Sequence, residues 1–222
     1  MNLDWQRILI SLPGIILGLT LHEYCHALAA YKLGDHTAGE MGRVSFNPLR
    51  HIDLIGFLFI IFAGFGWAKP VQFNPENLRR RRRDIAIIAA AGPVSNLILA
   101  LLFVAFAWGW LALHLHVVDL SSLPGTAYIY FFFVLFLIFQ YGAMINMGLF
   151  IFNLFPIPPL DGSHIVFSGL NLRPETEHLI MKIGVPLFFI VLIIQNRAGI
   201  NILPIGKLVN AILGPILPRI AY

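Results

Sequence analysis

Charge is scarce in this sequence. Lys, Arg, Asp and Glu together make up 12% of its 222 residues, about half the share that soluble domains carry. That shortage excludes a soluble enzyme or a free nucleic-acid-binding module, because too few polar side chains remain to coat an aqueous surface. Cysteine is nearly absent as well: Cys25 stands alone, so no disulfide can form within the chain. Hydrophobic residues, by contrast, reach 58%, and the mean hydropathy is +0.80. The composition is that of an integral membrane protein. A cleavable signal peptide is not expected, since the first apolar stretch carries Glu23 and His26 and lacks a small-residue cleavage site.

A helix that crosses a membrane needs about 20 mainly apolar residues. Three runs meet that length, 8–31, 85–118 and 120–160. Shorter runs at 54–67, 183–196 and 198–218 stay open between crossing, kinking and turning back, because Gly56, Gly64, Pro186, Pro204 and Pro215 interrupt them. The expected architecture is an all-α polytopic membrane protein with four to six transmembrane helices. Nine of the 15 Lys and Arg residues lie between Lys32 and Arg83, five of them as the run Arg79–Arg83, whereas His114–Ala127 holds none. The positive-inside rule then makes the first loop cytoplasmic and puts Ser121 and Ser122 outside. This accounts for the basic cluster without a nucleic-acid partner. Within the loop, Val44–Pro48 and Val71–Pro75 echo one another, alternating apolar and polar residues before an Asn-Pro stop. Both read as short β-like strands, on either side of a glycine-interrupted segment, 52–66, that suits a re-entrant or interfacial position.

Ionisable groups inside a spanning segment cost about 3 kcal/mol each and are functional candidates by default. The first span holds three, in His22-Glu23-Tyr24-Cys25-His26. On a helix, residues four apart share one face, so both imidazoles can hold one zinc ion while Glu23 stands beside them as a general base. Catalytic zinc takes three protein ligands. Asp161 is the candidate third, at the end of Asn153-Leu154-Phe155-Pro156-Ile157-Pro158-Pro159-Leu160-Asp161-Gly162. A turn or helix-cap aspartate would also suit that position. Two antiparallel spans nevertheless bring it to the same side of the membrane as His26, and the prolines free the chain to bend back into the bundle. The other histidines, His36, His51, His114, His116 and His178, lack metal-like spacing and read as loop or interface residues. His164 could orient a ligand or simply be a satisfied polar group near the interface. Cys25 reads as packing.

These motifs resemble the site-2 protease family of intramembrane zinc metalloproteases. His22, Glu23 and His26 match the family's zinc-binding H-E-x-x-H, and Asn153 through Gly162 match its N-x-x-P-x-P-x-x-D-G element. Ala91-Gly92-Pro93-Val94-Ser95-Asn96 is similar to its G-P-x-x-N element. The resemblance implies one Zn2+ per chain held by His22, His26 and Asp161, with Glu23 as the catalytic base. It implies cleavage of single-span membrane protein substrates in or near their spans, on the cytoplasmic side of a cell membrane, as in regulated intramembrane proteolysis. Asn153 and Asn96 become candidates for holding the substrate backbone or the transition state, although helix-to-helix hydrogen bonding would explain each equally well. The expected form is compact, without PDZ or CBS domains: one integral membrane metalloprotease domain over 1–222, its zinc core 8–162 and its C-terminal helices 163–222. Two other readings fit parts of the pattern. A non-proteolytic zinc-binding protein or metal transporter would need the ligands but not Glu23. A prenyl-protein protease would use H-E-x-x-H with a glutamate as third ligand, which the P-x-P-x-x-D-G element disfavours. Nothing in the sequence indicates an oligomeric state.

Overall fold

The computed structural model describes residues 4–63, 66–117, 125–170, 172–198 and 202–218. Eight α-helices lie among them: α1 (Trp5–Lys32), α2 (Thr37–Glu40), α3 (Leu54–Ala63), α4 (Arg81–Val117), α5 (Gly125–Asn153), α6 (Asp161–Leu170), α7 (Pro174–Ala198) and α8 (Ile205–Leu213). Four are long and apolar enough to cross a membrane, within α1, α4, α5 and α7. The chain is thus an all-helical, multi-pass membrane protein at the lower end of the expected four to six crossings. α3, with 10 residues, and α8, with 9, rise only about 15 Å at 1.5 Å per residue, half of a hydrocarbon core. Ser121 and Ser122 lie outside the described residues.

Apolar surface drives no helix pairing where lipid is equally apolar, so close backbone approach has to do it. Gly14 and Gly18 give α1 a small-residue face. A Cβ on Gly14 would come within 2.8 Å of Gly142 Cα on α5, and one on Gly142 within 2.8 Å of the Phe103 ring on α4. Three helices are therefore locked at one crossing. Leu99, Ala100 and Phe103 of α4 bury against Ala143 and Met147 of α5, and Val209 and Leu213 of α8 close the cluster. α3 and α7 lie at the edge of this bundle, where Leu54, Ile55 and Ile190 are more than half exposed.

The two expected strands are a correction. Among the described residues there is no strand: Val44 and Ser45 lie in a bend, 71–74 are irregular, and neither piece pairs in a ladder. Their echo is a helix-cap motif instead. The side chains of Asn47 and Asn74 accept from Leu49 N at 3.0 Å and Glu76 N at 3.1 Å, and Pro48 and Pro75 each open a 3₁₀ turn. Asn-Pro thus starts a helical turn rather than ending a ladder. Asp35, fully buried, ties the second piece to the end of α1: it accepts from Thr37 N (3.2 Å), Thr37 Oγ1 (2.6 Å), Asn74 N (2.9 Å) and Asn77 Nδ2 (2.8 Å). These four donors hold its carboxyl below the ordinary carboxylate value, although burial alone would raise it.

Candidate metal centre

α1 and α4 run in opposite directions, so His26, six residues before the end of α1, meets Ile88, seven residues into α4. The centre therefore lies about 10 Å from the arginine-rich end of α4. α5 ends at Asn153, the chain turns through 154–160, and Asp161 opens α6 pointing back at α1. Gly162 permits that turn, because a Cβ there would strike the backbone of Leu154 and Phe155.

His22 Nε2, His26 Nε2 and Asp161 Oδ2 form a triangle with edges of 3.0, 3.2 and 3.4 Å. Tetrahedral zinc with bonds of about 2.0–2.1 Å sets its ligand atoms about 3.3 Å apart. The outer nitrogens fix the tautomers. His22 Nδ1–H donates to Asn96 Oδ1 at 2.7 Å and His26 Nδ1–H to the Ile88 carbonyl at 2.7 Å. In the neutral rings both Nε2 lone pairs then point into the triangle, where the buried Asp161 Oδ2 has no hydrogen-bond partner. One proton could satisfy only one pair of these atoms; a cation satisfies all three. The donor set, two imidazoles and a carboxylate, is that of a zinc site with one position left open.

α4 supports the two histidines in two ways. Gly92 lets it pass against them: a Cβ there would collide with His26 Nε2 and Cε1 and with His22 Cε1. Asn96, fully buried, holds His22 and also donates to Gly18 O (3.1 Å) and to Asn146 Oδ1 (3.0 Å). Asn146 in turn donates to Gly14 O (3.2 Å) and Gly142 O (2.8 Å). An amide chain therefore runs from the ligand sphere through all three core helices. Asn153 is separate from this chain and donates to Leu149 O, one turn back, at 3.0 Å.

Glu23 is buried beside the ligands. Its Oε2 accepts from Val71 N at 3.1 Å and lies 3.8 Å from Arg43 Nη2. Both residues come from the loop that follows α1. A cavity of about 1050 Å³ opens onto Glu23 and the three ligands, lined also by Asn153, His164 and Trp67. His164 makes no hydrogen bond to the ligands among the described residues, and burial pushes its imidazole below the ordinary value.

The structure brings His22, Glu23, His26 and Asp161 together, with Asn153 on the same cavity and Asn96 behind His22. Sequence reasoning missed Asn146, Arg43 and His51. His51, taken for a loop or interface residue, is fully buried, and its Nε2–H donates to Ser45 O at 2.7 Å. A polar residue amid an apolar span was the available signal for Asn146. Arg43 had none, because a loop arginine reads as topology.

Comparison with known proteins identifies the family. The family model described as peptidase family M50 matches residues 9–194. YwhC of Bacillus subtilis (strain 168) is 40% identical over 68% of this chain and 65% of its own length. Rip2 of Mycolicibacterium smegmatis is 27% identical over 87% of this chain and 69% of its own length. Rip2 of Mycobacterium tuberculosis (strain H37Rv) is 30% identical over 75% and 58%. All three bear the description "putative zinc metalloprotease". The chain thus spans roughly two thirds of the length of these relatives. No solved structure matches it significantly. With its metal-ligand triangle, its buried Glu23 and a family match over most of its length, the chain belongs to peptidase family M50.

Proposed function

We propose that this protein is an intramembrane zinc metalloendopeptidase that hydrolyses peptide bonds in or near the spans of single-span membrane proteins, as in regulated intramembrane proteolysis. The observation that carries the reading is the position of Glu23: a buried carboxylate that is not one of the three converging ligands, yet opens onto the same cavity. A metal carrier needs the ligands and has no use for such a group. His22, His26 and Asp161 would hold the zinc, which supplies a Lewis acid for the scissile carbonyl and acidifies the attacking water. Glu23 takes the proton of that water and returns it to the leaving amine, so no covalent intermediate with the protein is needed. Asn153 lines the cavity, and its role in this reading is to hold the substrate backbone. Asn96 acts through His22, since its own amide is spent on three partners inside the bundle.

The basic loop sets the centre toward the cytoplasmic side of the cell membrane. Pairing of a locally unwound substrate with the segment 67–74 would use the backbone groups that segment leaves over: Lys69 N and Val71 N donate to His51 O and Glu23 Oε2, whereas the Gln72 backbone makes no hydrogen bond among the described residues. The test uses purified protein with zinc and a single-span substrate. Glu23→Gln is expected to lose cleavage by about 10²- to 10⁴-fold while metal analysis still finds one zinc per chain. Cleavage at the wild-type rate would refute Glu23 as the base, and a zinc-loaded wild-type protein that cuts no substrate would leave the carrier reading.

A further inference from the structure

Arg43 is buried, 3% exposed, although it belongs to a loop outside the spans. An arginine is costly to bury unless its donors are used. Its Nη1 donates to the Arg50 carbonyl and its Nη2 to the Lys69 carbonyl, while Nη2 also faces Glu23 Oε2 at 3.8 Å. Its backbone N donates to Ala38 O at 2.8 Å, which anchors the residue itself to α2. One planar fork therefore joins three pieces of chain: the turn at Pro48–Arg50, the irregular segment beginning at Trp67, and the metal-binding helix. Lysine could not reproduce this, since a single ammonium lacks the rigid two-pronged geometry.

The consequence falls on Glu23. Its Oε2 is held from two sides, by Val71 N–H and by the guanidinium, and both holders are fixed through Arg43, because Lys69, whose carbonyl Arg43 grips, is two residues from Val71. Among the described residues nothing is bonded to Oε1. Anchoring one oxygen of a carboxylate leaves the other with a fixed direction. We infer that Arg43 is a positioning residue for the peptidase reaction: it clasps the 67–71 segment to α1 and thereby holds Glu23 with one oxygen free for the attacking water. It is not a catalytic residue, since it acts through Glu23. The inference rests on the proposed peptidase reading for its kinetic consequence, and on geometry alone for the clasp.

The experiment has two arms. In the kinetic arm, zinc-loaded Arg43→Gln and Arg43→Lys are expected to lower kcat by about 10²-fold, with KM within about threefold of wild type and zinc content unchanged. In the structural arm, hydrogen–deuterium exchange is measured on chelator-treated protein. Arg43→Gln is expected to speed exchange in peptides covering 67–74 while those from α4 and α5 stay protected. The coupling is reciprocal, so Glu23→Leu should loosen the same peptides, and this variant carries the test should Arg43→Gln fail to fold. A kcat at the wild-type level, or loss of zinc instead of kcat, overturns the positioning role; a rise in KM alone would make Arg43 a substrate contact. Unchanged exchange at 67–74 in the variants overturns the clasp. If wild-type protein cuts no substrate, the peptidase reading falls while the exchange arm still decides on the clasp.

Discussion

Helices α4 and α7 are both apolar enough to cross a membrane, but 56% of the most apolar stretch of α4 is buried inside the protein and only 6% of that of α7. Their hydrophobicity does not tell them apart. What separates them is the exceptions: α4 carries Gly92 and Asn96, each in contact with a metal-ligand histidine, while Ile183, Leu187, Ile190 and Ile193 of α7 face outward. In lipid, small residues and hydrogen-bonding side chains specify helix contacts because apolar burial cannot. The chemistry accordingly sits where α1 and the start of α6 meet α4, beside the three-helix core. The cavity wall toward α3 and α7 is held by side-chain contacts such as Trp67 against Phe189, ring centroids 6.3 Å apart.

The sharpest way to break this comparison is a single methyl group in α4. Gly92→Ala puts a Cβ into both imidazoles, so bound zinc should fall at least tenfold and cleavage with it. Gly109→Ala is the control in the same helix, since a Cβ there meets nothing within 4 Å; it should keep full zinc and gain up to about 1 kcal/mol of helix propensity. Equal zinc occupancy in the two variants would mean that α4 does not press on the site.

Next in size is Asn96→Leu. His22 loses the acceptor that fixes its tautomer, and Asn146 and Gly18 lose a donor. Zinc affinity should drop about 10- to 100-fold, measured by competition with a chromogenic chelator. An unchanged affinity would reduce the amide chain to helix packing.

His22, Glu23, His26 and Asp161 were legible because each is costly in an apolar run, and because the ligand chemistry prescribes residue types and spacing. Three spans were legible for the same reason, by length. α7 was obscured by Pro186, which its helix accommodates. The strands failed because alternation over five residues looks the same whether the segment pairs or stays irregular, and the Asn-Pro stop could equally be the cap it proved to be. Arg43, Asp35 and His51 could not be read at all. Their importance comes from carbonyls and amides that only the folded loop brings near, and backbone groups leave no mark in a sequence.

Asp35 turns that lesson into a stability measurement. Replaced by Asn, it keeps one acceptor oxygen but sets an NH₂ group against Asn74 N–H or against the Thr37 and Asn77 donors, at a cost of about 1–3 kcal/mol. The folded-state value of Asp35 is depressed. Its contribution is thus fully present above the unfolded value of about 4 and is lost as pH falls through the lower folded value. Thermal unfolding should show wild type weakening below about pH 4 by more than Asp35→Asn does. Parallel acid profiles would show that the carboxylate charge is not what holds the loop.

The smallest effect is expected on the flank, and it tests whether α7 is a lipid-facing wall or a half-finished interface. Leu99→Ala, in the core cluster at 8% exposure, opens a cavity that neighbours cannot fill and should cost about 2–5 kcal/mol. Ile190→Ala removes a similar side chain at 51% exposure, where an acyl chain as apolar as the lost atoms takes the space. Its effect in bilayer discs should stay within about 0.5 kcal/mol. A loss approaching that of Leu99→Ala would mean that α7 is packed against protein in the membrane, and since its outward face has no such contact among the described residues, the packing would have to come from a segment outside them or from another molecule.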